Sequence, residues 1–415
     1  MKYVIIGNSA AAIGTIQGIR LVDKTGQIVV ISDEKYHTYS RPLISYWLKE
    51  SVTEENMRYR DEDFYEKNDV DTLFETRVQK INADKKTVTT QNGNEISYDK
   101  LMVATGSKPF VPPMDGLDKV KKKFTFMKFD DAKAVKEAVS EGAKVLIVGA
   151  GLIGLKAAEA LEHYGADMTV IDLADRILPS ILDNEASEIM QKHIESKGVK
   201  FILGTSVKEF SESSAALTNG DTVEFDMVIL AVGVRPNTEL IAEAGGKVNR
   251  GIVTNQTQAV EGLLDVYAAG DCTESLDITT GQQKILALLP NAFMQGEIGG
   301  QNMAGKEMYY LNAMPMNAIG FFGLHIITAG SYEGEAYTET DGKKNYKKLV
   351  TSDNELKGFI LMGDVKRAGI YTYMIKWHMP IDECDFETLK SNPQLMAFSR
   401  EYRNEKLAGG TGNVN

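Results

Sequence analysis

The stretch Lys144-Val-Leu-Ile-Val-Gly149-Ala-Gly151-Leu-Ile-Gly154 decides the fold. An apolar strand runs into a glycine turn, and the turn opens a helix. The chain spells the same device a second time, more loosely, as Lys2-Tyr-Val-Ile-Ile-Gly7-Asn-Ser9-Ala-Ala-Ala12. A helix N-terminus presents unpaired N–H groups and the positive end of its dipole, which suits a pyrophosphate. Glycines let the backbone come close to the phosphates. In the looser copy Ser9 offers a hydroxyl, and Ala12 is small enough for close helix packing. Two such turns, each between a strand and a helix, imply two dinucleotides.

Working outward, residues 4–6 read as a buried parallel strand, residues 9–21 as the helix on it and residues 27–31 as the next strand. That unit ends at Ser32-Asp33-Glu34. Residues 87–98 alternate apolar and polar around Asn92-Gly93, a hairpin pattern. Residues 101–104 read as another buried strand, closed by Thr105-Gly106, and the Pro-rich segment 108–116 as an interdomain linker. The second βαβ unit covers residues 144–172, followed by a helix at 184–197 and strands up to 227–231. Gly233-Val-Arg-Pro-Asn237 marks a second crossing, and residues 266–269 form a short strand ending at Gly270-Asp271. A helix is predicted from Pro290 to about Met303.

From Pro315 the short alternating runs suggest a small domain, and residues 409–415 a frayed tail. The fold class is therefore α/β. Two Rossmann-like nucleotide-binding domains, the first split by insertion of the second, precede a small C-terminal α+β interface domain. The boundaries read as 1–110 with 238–312, then 111–237, then 313–408.

The 415 residues, at roughly 100–200 per domain, allow two to four domains. A net charge of -12 argues against nucleic acid and anionic membranes as general partners. Cys272 and Cys384 are the only cysteines, which leaves no disulfide framework or paired redox motif and fits a reducing cytoplasm. No charged-then-apolar leader precedes the first strand, so no cleaved signal is expected. No apolar run reaches the ~20 residues that span a bilayer. His37, His163, His193, His325 and His378 show no metal-ligand spacing.

A carboxylate at the end of the second strand of each unit can bind ribose hydroxyls and repel a 2′-phosphate. The candidates are Asp33 or Glu34 in the first unit and Asp172 in the second. Asp172, followed by Leu173, favours NAD(H) over NADP(H), with Arg176 close enough to weaken the preference. As the alternative, Asp172 caps a loop. Asp271 reads equally as a binder of ribityl hydroxyls or as a turn residue.

Five ordered motifs now stand on the page: the turns at Gly7 and Gly149, Val103-Ala104-Thr105-Gly106, Ala231-Val-Gly233-Val-Arg-Pro-Asn237, and Tyr267-Ala-Ala-Gly270-Asp271. With them, residues 1–305 resemble the FAD- and NAD(P)-dependent pyridine nucleotide oxidoreductases. The resemblance implies FAD in the split domain and NAD(H) in the inserted one. It implies that Asp271 holds the ribityl chain and that the helix starting near Asn291 faces the flavin pyrimidine. It carries Pro42, Val78, Ala104, Thr105, Gly106 and Gly270 into the FAD site. Gly149, Gly151, Ile153, Gly154, Asp172 and Gly233 go to the NAD site.

Tyr39-Ser-Arg41-Pro42-Leu-Ile-Ser45 selects the branch. NADH oxidases, NADH peroxidases and coenzyme A disulfide reductases carry a redox cysteine where this chain has Arg41. Without a thiolate there is no thiol relay. The segment instead resembles that of rubredoxin and ferredoxin reductases, nitrite reductase flavoprotein domains and apoptosis-inducing-factor-like proteins, in which the arginine contacts FAD. Such relatives place lysine at the position of Tyr46 and glutamate at that of Lys156, as an ion pair near flavin N5. The expectation here is a cation moved to the other arm, with Lys156 beside the flavin and Tyr46 as its neighbour; the alternative leaves Lys156 in solvent.

The basic run Lys119-Val-Lys121-Lys122-Lys123 reads as a docking patch for an acidic carrier or, more simply, a solvated loop. Cys272 reads as a small buried filler. Tyr371, Tyr373 and Trp377 read as core, with contact to a partner as the alternative for any of them that is exposed, and His325 and His378 as residues that could approach the flavin. The function expected is an FAD-dependent NADH oxidoreductase delivering electrons to a rubredoxin, an iron–sulfur protein or a partner subunit. Direct reduction of oxygen or peroxide, and a non-turnover NADH sensor, are the alternatives. The acceptor, the direction of electron flow and the oligomeric state stay open at this level.

Overall fold

The computed structural model describes residues 1–404; the tail expected at 409–415 lies outside them. Contacts group the chain into two compact units. One comprises residues 1–177, 198–276 and 283–313, and the other residues 178–197, 277–282 and those from Met314 onward.

The first unit holds two parallel five-stranded sheets with one plan. In the first sheet the order is Val266–Ala268, Lys100–Val103, Lys2–Ile6, Gln27–Ile31, Val70–Leu73. In the second it is Lys123–Phe124, Met227–Leu230, Lys144–Val148, Asp167–Asp172, Lys200–Leu203. The strand that feeds each glycine turn is central in its sheet. Its side chains are buried on both faces, hence the unbroken apolar runs that betray it in sequence. In each part a three-stranded antiparallel sheet follows the edge strand, Val70–Leu73 or Lys200–Leu203, in the chain, starting at Val78–Asn82 and at Val207–Phe210. The α/β class expected from sequence, with two Rossmann-like parts, is what the chain adopts.

The helix Ala10–Val22 packs on the helix Leu289–Met303 through glycines on both sides. A Cβ on Gly14 would lie 2.1 Å from the Phe293 carbonyl oxygen, and one on Gly296 2.0 Å from that of Ala11. Backbones this close bring the start of the second helix up to the Gly7 turn. The Pro-rich segment expected as a linker begins as a strand. Ser107–Pro109 pairs antiparallel with Val234–Pro236, and Thr105 and Asn237 exchange side-chain hydrogen bonds with each other's carbonyls at 2.9 and 2.8 Å. The two crossings between the sheets are thus one ribbon.

The second unit is built on an antiparallel five-stranded sheet in the order Met316–Phe321, Leu324–Gly330, Glu355–Met362, Tyr346–Ser352, Glu335–Thr340. The helix Ala368–Lys376 covers it with Tyr371, Met374 and Ile375. Tyr371 is fully buried as expected, but Trp377, at the end of that helix, is 54% exposed. The helix Asn184–Glu195, which falls inside the segment read as the NAD-binding domain, groups with this sheet. The reason is Asp183. Its carboxylate caps the helix at Ala186 N (3.0 Å) and accepts hydrogen bonds from Tyr346 Oη (2.6 Å) and Lys348 Nζ (2.9 Å).

Burial works against the Asp183 charge, but the bonds from Tyr346 and Lys348 outweigh it and hold the carboxyl below the usual 3.8. A depressed carboxyl contributes stability above its unfolded pKa and loses it as pH falls through the folded value. Asp183→Asn should therefore lower the unfolding free energy by about 1–3 kcal/mol at pH 7. In denaturant melts the gap should close as pH drops below 3.8. A gap unchanged in acid would mean that the charge contributes nothing.

Candidate functional site

The two turns share their backbone geometry. Gly7 and Gly149 both have φ +117°, a region closed to residues with a side chain. Gly7 N donates to Ile31 O and Gly149 N to Ile171 O, each at 2.8 Å. A Cβ on Gly7 would sit 2.1 Å from the Ala104 carbonyl oxygen, and one on Gly149 2.3 Å from that of Ala231. Each turn is therefore pressed against the end of the next strand. The helices that follow are N-capped by Ser9 and Gly151, neither with a side-chain cap bond.

At the first turn a cavity of about 920 Å³ opens. Twelve of the expected flavin-site residues line it: Gly7, Ser9, Asp33, Glu34, Arg41, Pro42, and Val78, Ala104, Thr105, Gly106, Gly270, Asp271. Ala12 and Asn291 do not. Ala12 is fully buried in the core, and Asn291 is occupied behind the wall, donating to Leu286 O and accepting from Tyr310 Oη. Ala292, next to it, does reach the cavity.

Other lining residues went unread in the sequence, among them Tyr36, His37, Arg77, Ser107 and Lys128. Of these, His37 Nε2 and Ser107 Oγ are buried without a hydrogen-bond partner. No periodicity marks such residues, because they come from segments far apart in sequence.

The acids are not equivalent. By strand register Asp172 follows Ile171 as Ser32 follows Ile31, so Asp33 and Glu34 lie one and two positions further on. Glu34 is held by Arg41 (2.6 Å) and by Tyr39 Oη (2.7 Å), and Tyr39 in turn accepts from Phe129 N at 3.0 Å. Asp33 pairs with Lys128 at 3.0 Å. Asp172 accepts from Ala150 N inside the glycine turn (2.7 Å) and from Ala174 N (2.8 Å), so it also shapes the turn. Arg176 Nη1 pairs with Asp175.

Burial raises the Asp271 carboxyl above the usual range, and Arg41 partly offsets this. For Arg41, burial opposes the charge, yet Tyr39, Glu34 and Asp271 raise its pKa. Gly270 N donates to the buried Gln295 Oε1 at 2.9 Å, which fixes the loop that carries Asp271. Cys272 is fully buried, and burial pushes its thiol up to about 11, so it is a filler and not a thiolate.

Lys156 is not in solvent: its side chain is 12% exposed, and its Nζ lies 4.3 Å from the Tyr46 ring centroid. The basic run is neutralised locally, Lys119 by Glu209 and Lys121 by Glu212, which favours the solvated-loop reading. His378 Nδ1 lies 3.0 Å from Glu355. Among the described residues no cluster of side chains could hold a metal, and no helix is long and apolar enough to cross a membrane.

With this geometry in place, residues 1–296 match the pyridine nucleotide-disulphide oxidoreductase family, and residues 315–379 the rubredoxin NAD+ reductase C-terminal domain. The NADH-dependent phenylglyoxylate dehydrogenase subunit epsilon of Aromatoleum evansii is 30% identical over 386 residues, 90% of this chain and 91% of that one. An NADH oxidase of Methanocaldococcus jannaschii is 34% identical over 318 residues, 74% of this chain and 71% of that one. The structure of an NAD-dependent persulfide reductase from A. fulgidus is similar with a TM-score of 0.86 and 28% identity, covering 93% of this chain and 79% of that one. This chain belongs to the pyridine nucleotide-disulphide oxidoreductase family. It is an enzyme, an NAD(P)H-dependent flavoprotein oxidoreductase whose cofactors are FAD and NAD(H).

A carboxyl with a raised pKa weakens the fold as it ionises, and the loss is relieved as pH falls through the folded value. Asp271→Asn should therefore raise the stability of the flavin-free protein by about 0.5–2 kcal/mol at pH 7. The gain should shrink toward acid pH. A lower melting temperature for the variant would contradict the burial argument.

Proposed function

We propose that this enzyme is an NADH:electron-carrier reductase. It takes hydride from NADH at the Gly149 turn, holds FAD at the Gly7 turn, and delivers electrons to a rubredoxin, an iron–sulfur protein or a partner subunit. A reducing cytoplasm, where its two unpaired cysteines stay reduced, is the compartment that fits.

The residues at the first turn fit a flavin dinucleotide. The Gly7 cradle would be filled by a Cβ, Asp271 is a half-buried acceptor in the cavity wall, and His37 and Ser107 bring buried polar atoms without a partner. Bound FAD supplies acceptance of a hydride and its release as single electrons or a pair. The N–H groups after Gly7 and the Ser9 hydroxyl bind pyrophosphate, with Ala12 holding the helix close behind. Asp271 takes a ribityl hydroxyl, and Arg41 balances the local charge. Val78, Pro42, Ala104, Thr105, Gly106 and Gly270 wall the cavity, and Asn291 stiffens the helix start that closes it. Glu34 and Asp33 line the cavity and keep lone pairs for ribose hydroxyls beside their present partners. At the second turn Gly149, Gly151 and Ile153 form the seat for pyrophosphate, Gly154 lets the helix pack against the Gly149 carbonyl behind it, Asp172 selects NADH by repelling a 2′-phosphate, and Gly233 keeps the adjoining strand end open. Lys156 rests on the Tyr46 ring outside the residues that line the first cavity, and its place beside the flavin is part of the proposal.

One observation carries the choice of acceptor. Arg41, paired to Glu34, stands in the cavity wall where thiol-dependent relatives place a cysteine, and Cys272 is a buried thiol. With no thiolate beside the flavin, electrons leave to another molecule. The match of residues 315–379 to the rubredoxin NAD+ reductase C-terminal domain supports a small redox protein. The relative named subunit epsilon supports a partner subunit. The NADH oxidase relative favours a second reading, direct reduction of oxygen.

Anaerobic stopped-flow separates them. After reduction by NADH, reoxidation by a rubredoxin should outpace reoxidation by air-saturated buffer at least about tenfold, a barrier difference of about 1.4 kcal/mol. Oxygen turnover equal to carrier turnover would favour the oxidase.

A further inference from the structure

We propose that Asn92 is a site of spontaneous deamidation, and that its conversion loosens one wall of the cavity at the first turn. The chemistry at Asn92 stands apart from the flavin reading above. Its effect on flavin retention rests on that reading.

The two three-stranded sheets contain the same turn. Thr90-Gln91-Asn92-Gly93-Asn94 leads from Thr87–Thr90 to Glu95–Ser97, and Leu217-Thr218-Asn219-Gly220-Asp221 from Ser214–Leu217 to Thr222–Glu224. In the first, Gly93 N donates to Thr90 O and Thr90 N to Asn94 O, each at 2.9 Å. In the second, Gly220 N donates to Leu217 O at 3.1 Å and Leu217 N to Asp221 O at 2.8 Å. Gly93 and Gly220 have φ +79° and +96°, the left-handed region that glycine tolerates. Beyond the chain neighbours, a Cβ on either would meet nothing within 4 Å. The two Asn-Gly bonds are thus equally open, but their side chains are not equally free. Asn219 Nδ2 donates to Asp221 Oδ2 at 2.7 Å, and Asn219 Oδ1 accepts from Asp221 N at 3.1 Å. Position 94 has asparagine in place of that aspartate. Asn92 is exposed, and its side chain makes no hydrogen bond among the described residues.

Deamidation needs a side-chain amide free to swing onto the next backbone nitrogen. The Gly93 nitrogen attacks the Asn92 amide carbon and loses its proton. A new C–N bond closes a succinimide ring, the bond to the amide nitrogen breaks, and ammonia leaves. Water then opens the ring at either carbonyl and leaves aspartate or isoaspartate. Nothing is oxidised or reduced, and solvent is the co-reactant. The Asp221 bonds hold the Asn219 amide away from this path, so the second turn is a built-in control for the first.

The neighbour of Asn92 gives the change a consequence. Gln91 N donates to Arg77 O at 2.8 Å, Arg77 N donates to Gln91 Oε1 at 2.6 Å, and Gln91 Nε2 donates to Glu75 O at 3.0 Å. Three hydrogen bonds from one turn residue thus brace the segment of Thr76, Arg77, Val78 and Gln79, which lines the cavity. Isoaspartate routes the main chain through the former side chain and lengthens it by one carbon. A turn lengthened next to Gln91 cannot keep all three bonds in place, and the wall they hold is released.

The test ages the flavin-loaded protein in mildly alkaline buffer and follows its peptides by mass spectrometry, each deamidation adding about 1 Da. Asn92 should convert at least about fivefold faster than Asn219. On dilution, aged protein should release flavin, read by its fluorescence, at least about threefold faster than fresh protein. Asn92→Gln, whose longer side chain closes such a ring far more slowly, should release flavin at the same rate before and after ageing. Asn219 converting as fast as Asn92 would overturn the assignment of the site. Aged parent releasing flavin no faster than fresh, or Asn92→Gln loosening as much as the parent, would overturn the effect on the wall. A fresh protein that neither contains nor takes up FAD would instead overturn the flavin reading. The comparison of Asn92 with Asn219 is made on the chain itself and would still decide the modification.

Discussion

Everything in the first unit depends on two places where a backbone carbonyl occupies the space of a missing side chain. The Ala104 carbonyl oxygen sits 2.1 Å from where a Cβ of Gly7 would be, and that of Ala231 2.3 Å from where a Cβ of Gly149 would be. Because each turn is pressed onto its neighbouring strand end, the loops after several parallel strands meet at one rim. That is the place where open α/β sheets bind ligands, outside the carboxyl ends of their strands. At the first turn the result is a cavity reached by loops from residue 6 to residue 292. The glycine contacts between the helices Ala10–Val22 and Leu289–Met303 extend the same constraint, since only bare backbones let Ala292 come up to that rim.

The two copies share a backbone and differ in their charges. Around the first turn the ionic groups are tied to one another, Glu34 to Arg41 and Tyr39, and Asp33 to Lys128. Around the second, a single acid, Asp172, takes both Ala150 and Ala174 N–H groups and so builds the turn it serves. On the proposed reading this is how one duplicated device serves two ligands: the first is enclosed by side chains from many loops and suits a retained flavin, and the second relies on backbone and suits a nicotinamide that exchanges.

The parallel strands and both turns were legible because fully buried strands leave unbroken apolar runs and because φ +117° admits only glycine. The family followed from five motifs in order. The cavity wall was less legible. Tyr36 and His37, Ser107 and Lys128 come from three segments distant in sequence and carry no period. The unequal register of Asp172 and Asp33 needed the strand pairing to be seen. Asp183 drew its helix to the C-terminal sheet through partners more than 160 residues away, beyond any local pattern. Trp377 was read as core from its aromatic character, but it follows the last turn of its helix and stands largely exposed.

The central claim is that the two turns hold different dinucleotides. An experimental structure of the protein with FAD and NAD+ tests it most directly. The account predicts a flavin dinucleotide with its pyrophosphate at Gly7–Ser9 and its ribityl chain at Asp271, and a nicotinamide dinucleotide with its pyrophosphate at Gly149–Gly151. Flavin density at the Gly149 turn, or a Gly7 cavity that stays closed to flavin, would contradict it.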